Sequence, residues 1–517
     1  MTASKGDSDY RRKVKTREQL LEIIGPRPRE RSVIMCHGAF DLVHPGHIRH
    51  LMYVRAKADI LVASLTCDAH ITKASLRPYV PEQLRAMNLA ALEVVDYVIV
   101  DQNPTPIENI KFLQPDYFAK GYEYAAGGIH PRTREEMDVL ESYGGEIIFT
   151  PGDVVYSSSA FIDLGPPRIS AEKLVTLMDS ESITFERLRT TLASFKNVSV
   201  HVIGDTIVDG YTYCSLIGAM GKTPTLSVKF QQQADFAGGA AIVAKHLRAC
   251  GANVTFSTVL GDDAPKDFVL SDLFAQGIDS QAVIDPTRPT TRKNVFIADG
   301  HRMLKVDTLD NRPVSDKVLT RLKASLTSSK SEIFVFSDFR HGIFSPQTIP
   351  ELAACLPAGA LRVADSQMAS RWGNILDFEG FDLITPNERE ARFALGDQDS
   401  VVRPMALELY KRAKCKVLIL KLGDRGIITY RSSVPDDMRA FYTVDSFGEN
   451  IVDTVGAGDA LLAYATLAYA TTMSDVIASI LGSMAAAVAC ERDGNNPVTI
   501  DDVLNKIHNV EKRIQYA

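Results

Sequence analysis

Between residues 450 and 470 the chain runs Asn450-Ile-Val-Asp-Thr-Val-Gly-Ala-Gly-Asp-Ala-Leu-Leu-Ala-Tyr464 and on through a small-residue stretch to Ala470. No other segment restricts the fold as much. Glycines just ahead of a helix let the backbone turn its N–H groups toward one point, and the helix N-terminus adds partial positive charge there. Such a junction suits a phosphate, yet it also contains a carboxylate, Asp459, that an anion repels. Two readings follow. Asp459 accepts the proton of an alcohol attacking a phosphoryl group while the N–H groups of Gly456-Ala457-Gly458 hold the developing charge, or it is an N-capping aspartate after a glycine turn. The apolar runs Ala460–Ala470 and Ile477–Cys490 are too short to span a membrane and rich in alanine, so they are expected as buried helices packed closely on a sheet.

At 517 residues the chain exceeds one ordinary core, and two or three domains are expected. A net charge of −7 disfavours nucleic acid and anionic membranes as partners, while small anions remain within reach of local basic groups and backbone nests. The seven cysteines are scattered without a C-x-x-C pair, which argues against structural zinc and disulfides and for a reducing cytoplasm. Residues 1–31 mix acids and bases without an apolar run and read as an N-terminal extension that is not a targeting peptide.

From residue 32 the pattern is strand, turn, helix. Ser32-Val-Ile-Met-Cys36 reads as a buried strand, followed by His37-Gly-Ala-Phe-Asp-Leu-Val-His-Pro-Gly-His47 and a helix beginning near Pro45. This opens a βαβ unit, in which ligands sit at the carboxyl ends of strands. His44 and His47 are three apart and share one face of the first helical turn. There they can stabilise charge on a triphosphate as a nucleophile attacks the α-phosphorus. A metal pair is the competing reading, although the i, i+4 spacing and glutamate of a zinc helix are missing. Ordinary surface histidines are the other.

His44-Pro-Gly-His47 resembles the H-x-G-H motif of the nucleotidyltransferase superfamily that includes cytidylyltransferases and sugar-phosphate adenylyltransferases. The resemblance covers Ser32 to about Asp163 and implies a Rossmann-like domain over residues 32–163. It implies nucleotide or phosphate contacts for Phe40, Asp41 and Gly46, for Lys73 and Arg85, for Lys120-Gly121 at a strand end, and for Ser157 and Ser158 at a helix start. Lys73 joins His44 and His47 as catalytic. ATP and CTP are both left open as the nucleotide.

Residues 164–196, opening on Leu164-Gly-Pro-Pro-Arg168, are expected to form a linker with a helix. Asn197-Val-Ser-Val-His-Val-Ile-Gly-Asp205 then reads as a strand ending in a carboxylate, with Asp209 four residues on. Carboxylates at strand ends commonly grip sugar hydroxyls. Gly238-Gly239 lets backbone lie against a ligand, and Thr291–Ile297 with Met303–Asp307 reads as a small β-hairpin bearing Lys293 and Arg302. Four further strand-to-loop junctions follow, leading to Asp338, Asp365, Asn387 and Gly423.

Asp453-Thr-Val-Gly-Ala-Gly-Asp459 resembles the signature of the ribokinase-like, phosphofructokinase B type sugar kinases, and the likeness spans roughly Val198 to Ile507. It implies an α/β domain over residues 197–517 with a small β lid that often makes a dimer contact. It also implies Asp459 as base, and Asp205, Asp209, Gly238, Gly239 and Lys293 around the sugar. Asn387 and Glu390 are implied near Mg²⁺ through water, with Gly423, Gly426 and Asn495 around the nucleotide. Both halves together resemble the bifunctional ADP-heptose synthases, with the order of domains reversed. Ile242 stands where that family carries an asparagine, Asp365-Ser-Gln367 replaces its Asp-Pro-Lys, and Ala219-Met-Gly-Lys-Thr223 departs from its usual loop.

The expectation is therefore a cytoplasmic, two-domain α/β enzyme acting on a sugar phosphate and nucleoside triphosphates with Mg²⁺, and a homodimer through the lid. It would phosphorylate a sugar with ATP, at C1 of a heptose phosphate, and join a sugar 1-phosphate to a nucleotide with release of pyrophosphate. A CTP-dependent cytidylyltransferase of a polyol or amino-alcohol phosphate, fused to a matching kinase, is the alternative. A ligand-sensing scaffold is disfavoured by the intact His44, His47 and Asp459, and a dehydrogenase by the missing G-x-G-x-x-G after the first strand.

Overall fold

The computed structural model describes residues 10–71, 78–121, 131–150, 170–219, 226–367, 374–434, 437, 439–492 and 494–516. Lys73, Ser157 and Ser158 lie outside the described residues. The chain divides into two units, Met1–Thr176 and Leu177–Ala517, with the division inside the helix Ser170–Ser180.

In the first unit five strands form one sheet: β1 Val33–Gly38, β2 Ile60–Thr66, β3 Tyr97–Asp101, β4 Tyr117–Gly121 and β5 Glu146–Thr150. Their order is β3-β2-β1-β4-β5 and every pairing is parallel. A run such as Ile60-Leu-Val-Ala-Ser-Leu65, buried throughout, is how a parallel strand covered on both faces reads. One face packs Ile34, Leu61, Leu89 and Val98, the other Met35, Phe118 and Leu140. Strand order reverses at β1, with β2 on one side and β4 on the other, so a crevice opens over the carboxyl end of β1. Residues 14–24, set outside this domain by the sequence reading, belong to its core. Thr16 and Gln19 form a capping box that starts the helix Arg17–Ile24. That helix buries Leu20 and Ile24 beside Phe118, and Val14 bridges Val98.

The second unit contains β6 Ser199–Gly204, β7 Thr206–Ala219, β8 Leu226–Gly239, β9 Asn253–Leu260, β10 Asp279–Ile284, β11 Arg292–Ala298, β12 His301–Thr308, β13 Ile333–Asp338, β14 Leu361–Ser366, β15 Leu383–Ile384, β16 Val417–Lys421, β17 Ile427–Tyr430 and β18 Phe441–Val444. Nine strands make a sheet of order β10-β9-β6-β13-β14-β15-β16-β17-β18. It is parallel as far as β16 and antiparallel over the last two steps. The alanine-rich runs form two buried helices, Ala457–Thr472 and Asp475–Cys490. They lie so close that a Cβ on Gly482 would sit 3.1 Å from the Leu461 carbonyl oxygen, which is why this seam is built from small residues. The helix Phe185–Ala193, read from sequence as part of a linker, packs against this unit's helices and pairs Arg189 with Glu511.

A second sheet of four strands has the order β12-β11-β7-β8. The expected hairpin is present as β11 and β12, turning at Asp299-Gly300 with φ of 48° and 82°. The 14-residue strands β7 and β8 beside it were not read from sequence. Most of β8, including Leu226, Val228 and Phe230, faces outward, so no alternation of buried and exposed residues marks it.

Candidate active sites of the two units

In the second unit a cleft of 640 Å³ opens beside the start of the helix Ala457–Thr472. Gly456 takes φ of 79°, and no side chain caps the helix that follows. The first N–H groups of a helix have no intrahelical acceptor, so they face the cleft with the positive end of the dipole. Asp459 stands in that first turn, only 8% exposed. Burial, reinforced by the nearby Asp365, Asp209 and Glu390 carboxylates, pushes it up to about 8, against the pull of Lys421. A carboxyl of that pKa is a base of useful strength near neutrality.

Around Asp459 the ends of the parallel strands deliver the rest. Lys421, last residue of β16, places its Nζ 3.0 and 3.1 Å from the two carboxylate oxygens of Asp365 on β14. Thr385 donates to the same carboxylate at 3.0 Å. Burial pulls the Lys421 ammonium down, but Asp365, Glu390 and Asp459 outweigh it and leave the pKa raised. Asn387 and Glu390 form a reciprocal capping box at the helix Glu388–Leu395, with contacts of 2.6 to 2.9 Å. Burial and the Asp365 charge push Glu390 up to about 7 although Lys421 opposes them. Gly423 and Gly426 line the cleft on either side of a tight turn.

Asp209 and Lys293, on the neighbouring strands β7 and β11, line the opposite side of the cleft together with Lys305. Burial raises Asp209 to about 6 and, with Lys305, depresses Lys293. A Cβ at Gly238 would collide with the Asp209 carboxylate, so any larger residue would displace that carboxylate from its present position. Asn495 hydrogen-bonds Asp209, and a Cβ at Gly456 would strike its side-chain oxygen. The structure thus puts Asn495 between the Asp209 carboxylate and the glycine turn, in the same cleft as Gly423 and Gly426.

Asp205 is placed differently from the sugar contact expected of it. It is buried and does not line the cleft. Its carboxylate accepts the backbone N–H groups of Phe339, His341 and Ile343, at 3.1, 3.1 and 3.4 Å. It holds the loop after β13, whose Phe339 does reach the cleft. Lys421, Asp365, Lys305 and Gln367 line the cleft and were not singled out from sequence as site residues. One signal was available for Lys421: a lysine closing the apolar strand Val417-Leu-Ile-Leu420 needs a buried partner.

In the first unit His44 is the N-cap of the helix Pro45–Arg55, with its Nδ1 accepting the Gly46 N–H at 3.1 Å. His47 returns the contact, its Nδ1 lying 3.4 Å from the His44 backbone nitrogen. The rings lie 3.9 Å apart, and Phe40, with φ of 47°, packs 5.2 Å from His47. A Cβ on Gly46 would come within 2.8 Å of the His44 ring. The spacing H-x-G-H is therefore a mutual cap that stacks two imidazoles at a helix start. Burial and the neighbouring His44 and His50 push His47 down to about 4, and burial with Arg49 lowers His44. Both shifts favour the neutral imidazole, which serves as a hydrogen-bonding group.

Asp41 accepts the Val80 N–H at 2.8 Å and fixes the returning loop. Lys120, at the end of β4 before Gly121, contacts Thr133 at 3.2 Å and pairs with Glu136. Arg85, expected on a phosphate, is fully buried. Its guanidinium donates to the carbonyls of Val80, Ala39 and Thr66 and to Asp68. It ties together the loops leaving β1 and β2, and those four acceptors take four of its five N–H donors. His37, not singled out from sequence, bridges Ser64 at 2.9 Å and Thr66 at 3.0 Å where β1 and β2 end.

Residues 198–501 match the pfkB family carbohydrate kinases. The chain belongs to that family. Ahead of the pfkB region, residues 35–162 match the cytidylyltransferase-like family, which makes the first unit nucleotidyltransferase-like. Among relatives, the chain is similar to the bifunctional protein HldE of Pelobacter propionicus, 26% identical over 340 residues, 64% of this chain and 66% of that protein. It is 40% identical over 142 residues to HldE of Syntrophotalea carbinolica, 27% of this chain and 28% of that protein. The chain thus spans less than two thirds of the length of these relatives. In structure it is similar to a phosphofructokinase-2 mutant from Escherichia coli, with a TM-score of 0.50, 16% identity, 61% of this chain and 99% of the other covered. That enzyme in complex with potassium gives 0.50 and 18%. At these identities the likeness is one of fold.

Proposed function

We propose that this pfkB protein is a bifunctional enzyme. Its second unit, with the kinase domain taken as residues 197–517, transfers the γ-phosphoryl group of ATP to a sugar hydroxyl. Its first, taken as residues 32–163, joins a sugar 1-phosphate to a nucleotide and releases pyrophosphate. One observation carries the kinase reading: a buried carboxyl, Asp459, with a pKa near neutrality stands in the uncapped first turn of a helix, facing a cleft that also holds Asp209. Asp459 takes the hydroxyl proton, the N–H groups from Gly456 to Gly458 hold the migrating phosphoryl group, and Asp209 orients the sugar. Lys293 and Lys305 give the sugar end positive charge, which supports a substrate that already bears a phosphate, and a heptose phosphate phosphorylated at C1 is the reading we adopt.

Among the described residues no cluster of three His, Cys, Asp or Glu stands ready to hold a metal. The hard oxygens of Glu390 and Asn387 fit Mg²⁺ held mainly by ATP and water, with the protein in contact through water. When bound, Mg²⁺ would neutralise phosphate charge. In the first unit His44 and His47 receive the α-phosphate charge, Lys73, Ser157 and Ser158 are assigned further phosphate contacts, and no covalent enzyme intermediate forms. The cytidylyltransferase-like match favours one second reading, CTP in place of ATP there; thermal stabilisation of the whole protein by each nucleotide decides between them.

The four-stranded sheet exposes Leu226, Val228, Phe230, Leu304 and Val306, an apolar set that supports a homodimer through the lid. Seven unpaired cysteines support a cytoplasmic setting. The test of the bifunctional reading is direct. With ATP and heptose 7-phosphate, ADP and pyrophosphate are measured separately. Asp459→Asn should abolish ADP formation, and His47→Ala should abolish pyrophosphate release from ATP and the sugar 1-phosphate. Loss of both activities in either folded variant would end this division of labour.

A further inference from the structure

Lys421 is placed as no merely structural lysine needs to be. Its ammonium is held from below by both oxygens of Asp365, at 3.0 and 3.1 Å. From above it lies against the glycine turn, because a Cβ on Gly458 would sit 3.2 Å from its Nζ. An ammonium has three N–H donors, and among the described residues only the Asp365 contacts use them. The side chain is 15% exposed, and that exposure opens into the cleft. Two independent sources of positive charge, an uncapped helix start and a lysine, therefore converge on one spot. Lys421 thus reaches past Asp365 to the turn whose N–H groups face the cleft.

We infer that Lys421 is a catalytic residue: its ammonium contacts the phosphoryl group in flight, opposite the N–H groups of the Gly456–Gly458 turn. Asp365, with Thr385 behind it, is the positioning residue that aims the ammonium. The inference rests on the kinase reading above. In the step itself, the bond from the γ-phosphorus to the β-bridging oxygen breaks and its electron pair leaves with ADP. The acceptor oxygen bonds to phosphorus and its proton passes to Asp459. Charge on the equatorial oxygens in between is what an ammonium can stabilise. The same geometry gives meaning to the departure at Gln367: with a neutral residue there, the cation of the cleft floor comes from β16.

The test uses the full-length protein with two probes: turnover of heptose 7-phosphate with ATP, and binding of ADP with Mg²⁺ in the presence and absence of aluminium fluoride, which mimics the transferring group. Lys421→Met should lower kcat by about 10²- to 10³-fold while leaving both KM values within about threefold. It should leave ADP binding unchanged and weaken the aluminium fluoride complex by about 10²-fold. Because a lone Asp365 carboxylate could unfold the single variant, Lys421→Met is also combined with Asp365→Asn, which removes both charges. That double variant should fold and stay slow. Recovery of parental kcat in the double variant would show that Lys421 only balances Asp365, and equal weakening of both ADP complexes would show ground-state binding; either result overturns the inference. Asp459→Asn, run alongside, keeps the two ideas separate. Retained turnover there removes the base assignment, and the aluminium fluoride measurement still judges Lys421, since it needs no base.

Discussion

Asp459 combines burial with surrounding carboxylates, and both disfavour its ionised form. A base must be deprotonated to act, so kcat/KM of the kinase should climb with pH along a limb with an apparent pKa near 8 and level off above it. A flat profile from pH 6 to 9 would remove the assignment. The same shift has a consequence for stability. The folded-state pKa lies above the unfolded value, so the native state holds the proton more tightly. The stability it adds is fully present below about pH 4 and is lost as pH rises through about 8. Asp459→Asn, which mimics the protonated form, should therefore gain thermal stability relative to the parent as pH goes from 6 to 9. Asp459, His44 and His47 were legible in the sequence because each belongs to a short local string. Arg85, Asp205 and Lys421 were not, because what a polar side chain does depends on acceptors tens or hundreds of residues away. Arg85 meets Ala39 and Asp68, and Asp205 meets the backbone at 339–343.

At the scale of the element, Asp459, His44 and the Asn387–Glu390 pair all stand where helices begin. The box of Asn387 and Glu390 does two things at once: it satisfies the first turn of the helix Glu388–Leu395 and presents a carboxyl to the cleft. Asn387→Ala should cost about 1 kcal/mol of stability for the lost cap, and it should raise KM for the Mg²⁺–ATP complex, read by steady-state kinetics. In the first unit Arg85 braces the loops that follow β1 and β2. Arg85→Met leaves the carbonyls of Val80, Ala39 and Thr66 without this donor, and should destabilise that unit by about 3 kcal/mol in denaturant unfolding. A variant that keeps its stability and loses only nucleotide affinity would return Arg85 to the phosphate. Most strands of both large sheets were readable because parallel strands are apolar end to end. The long strands β7 and β8 escaped because most of β8 presents both its faces outward and carries Gln231-Gln232-Gln233 through its middle.

Across the whole molecule, two matched family regions follow one another on a single chain. The kinase unit also exposes an apolar sheet face. If that face joins two copies, Leu304→Glu should shift the protein to monomer in sedimentation velocity while leaving the first unit's activity untouched. A dimer that survives the change would place the contact elsewhere. The domain order could be read from the motifs alone; the membership of residues 14–24 and 185–193 in their units could not, since short amphipathic helices look alike whether they dock or link. The tight seam at Gly482 sets one further condition. A helix wedged against its neighbour by alanine and glycine has no slack in which to tilt, so Asp459 and its glycine turn act as an anvil. On the kinase reading proposed above, the closing stroke that seals water out of the cleft would fall to the strands bearing Asp209 and Lys293, and methyl groups added at the seam should lower kcat while leaving KM for the sugar unchanged.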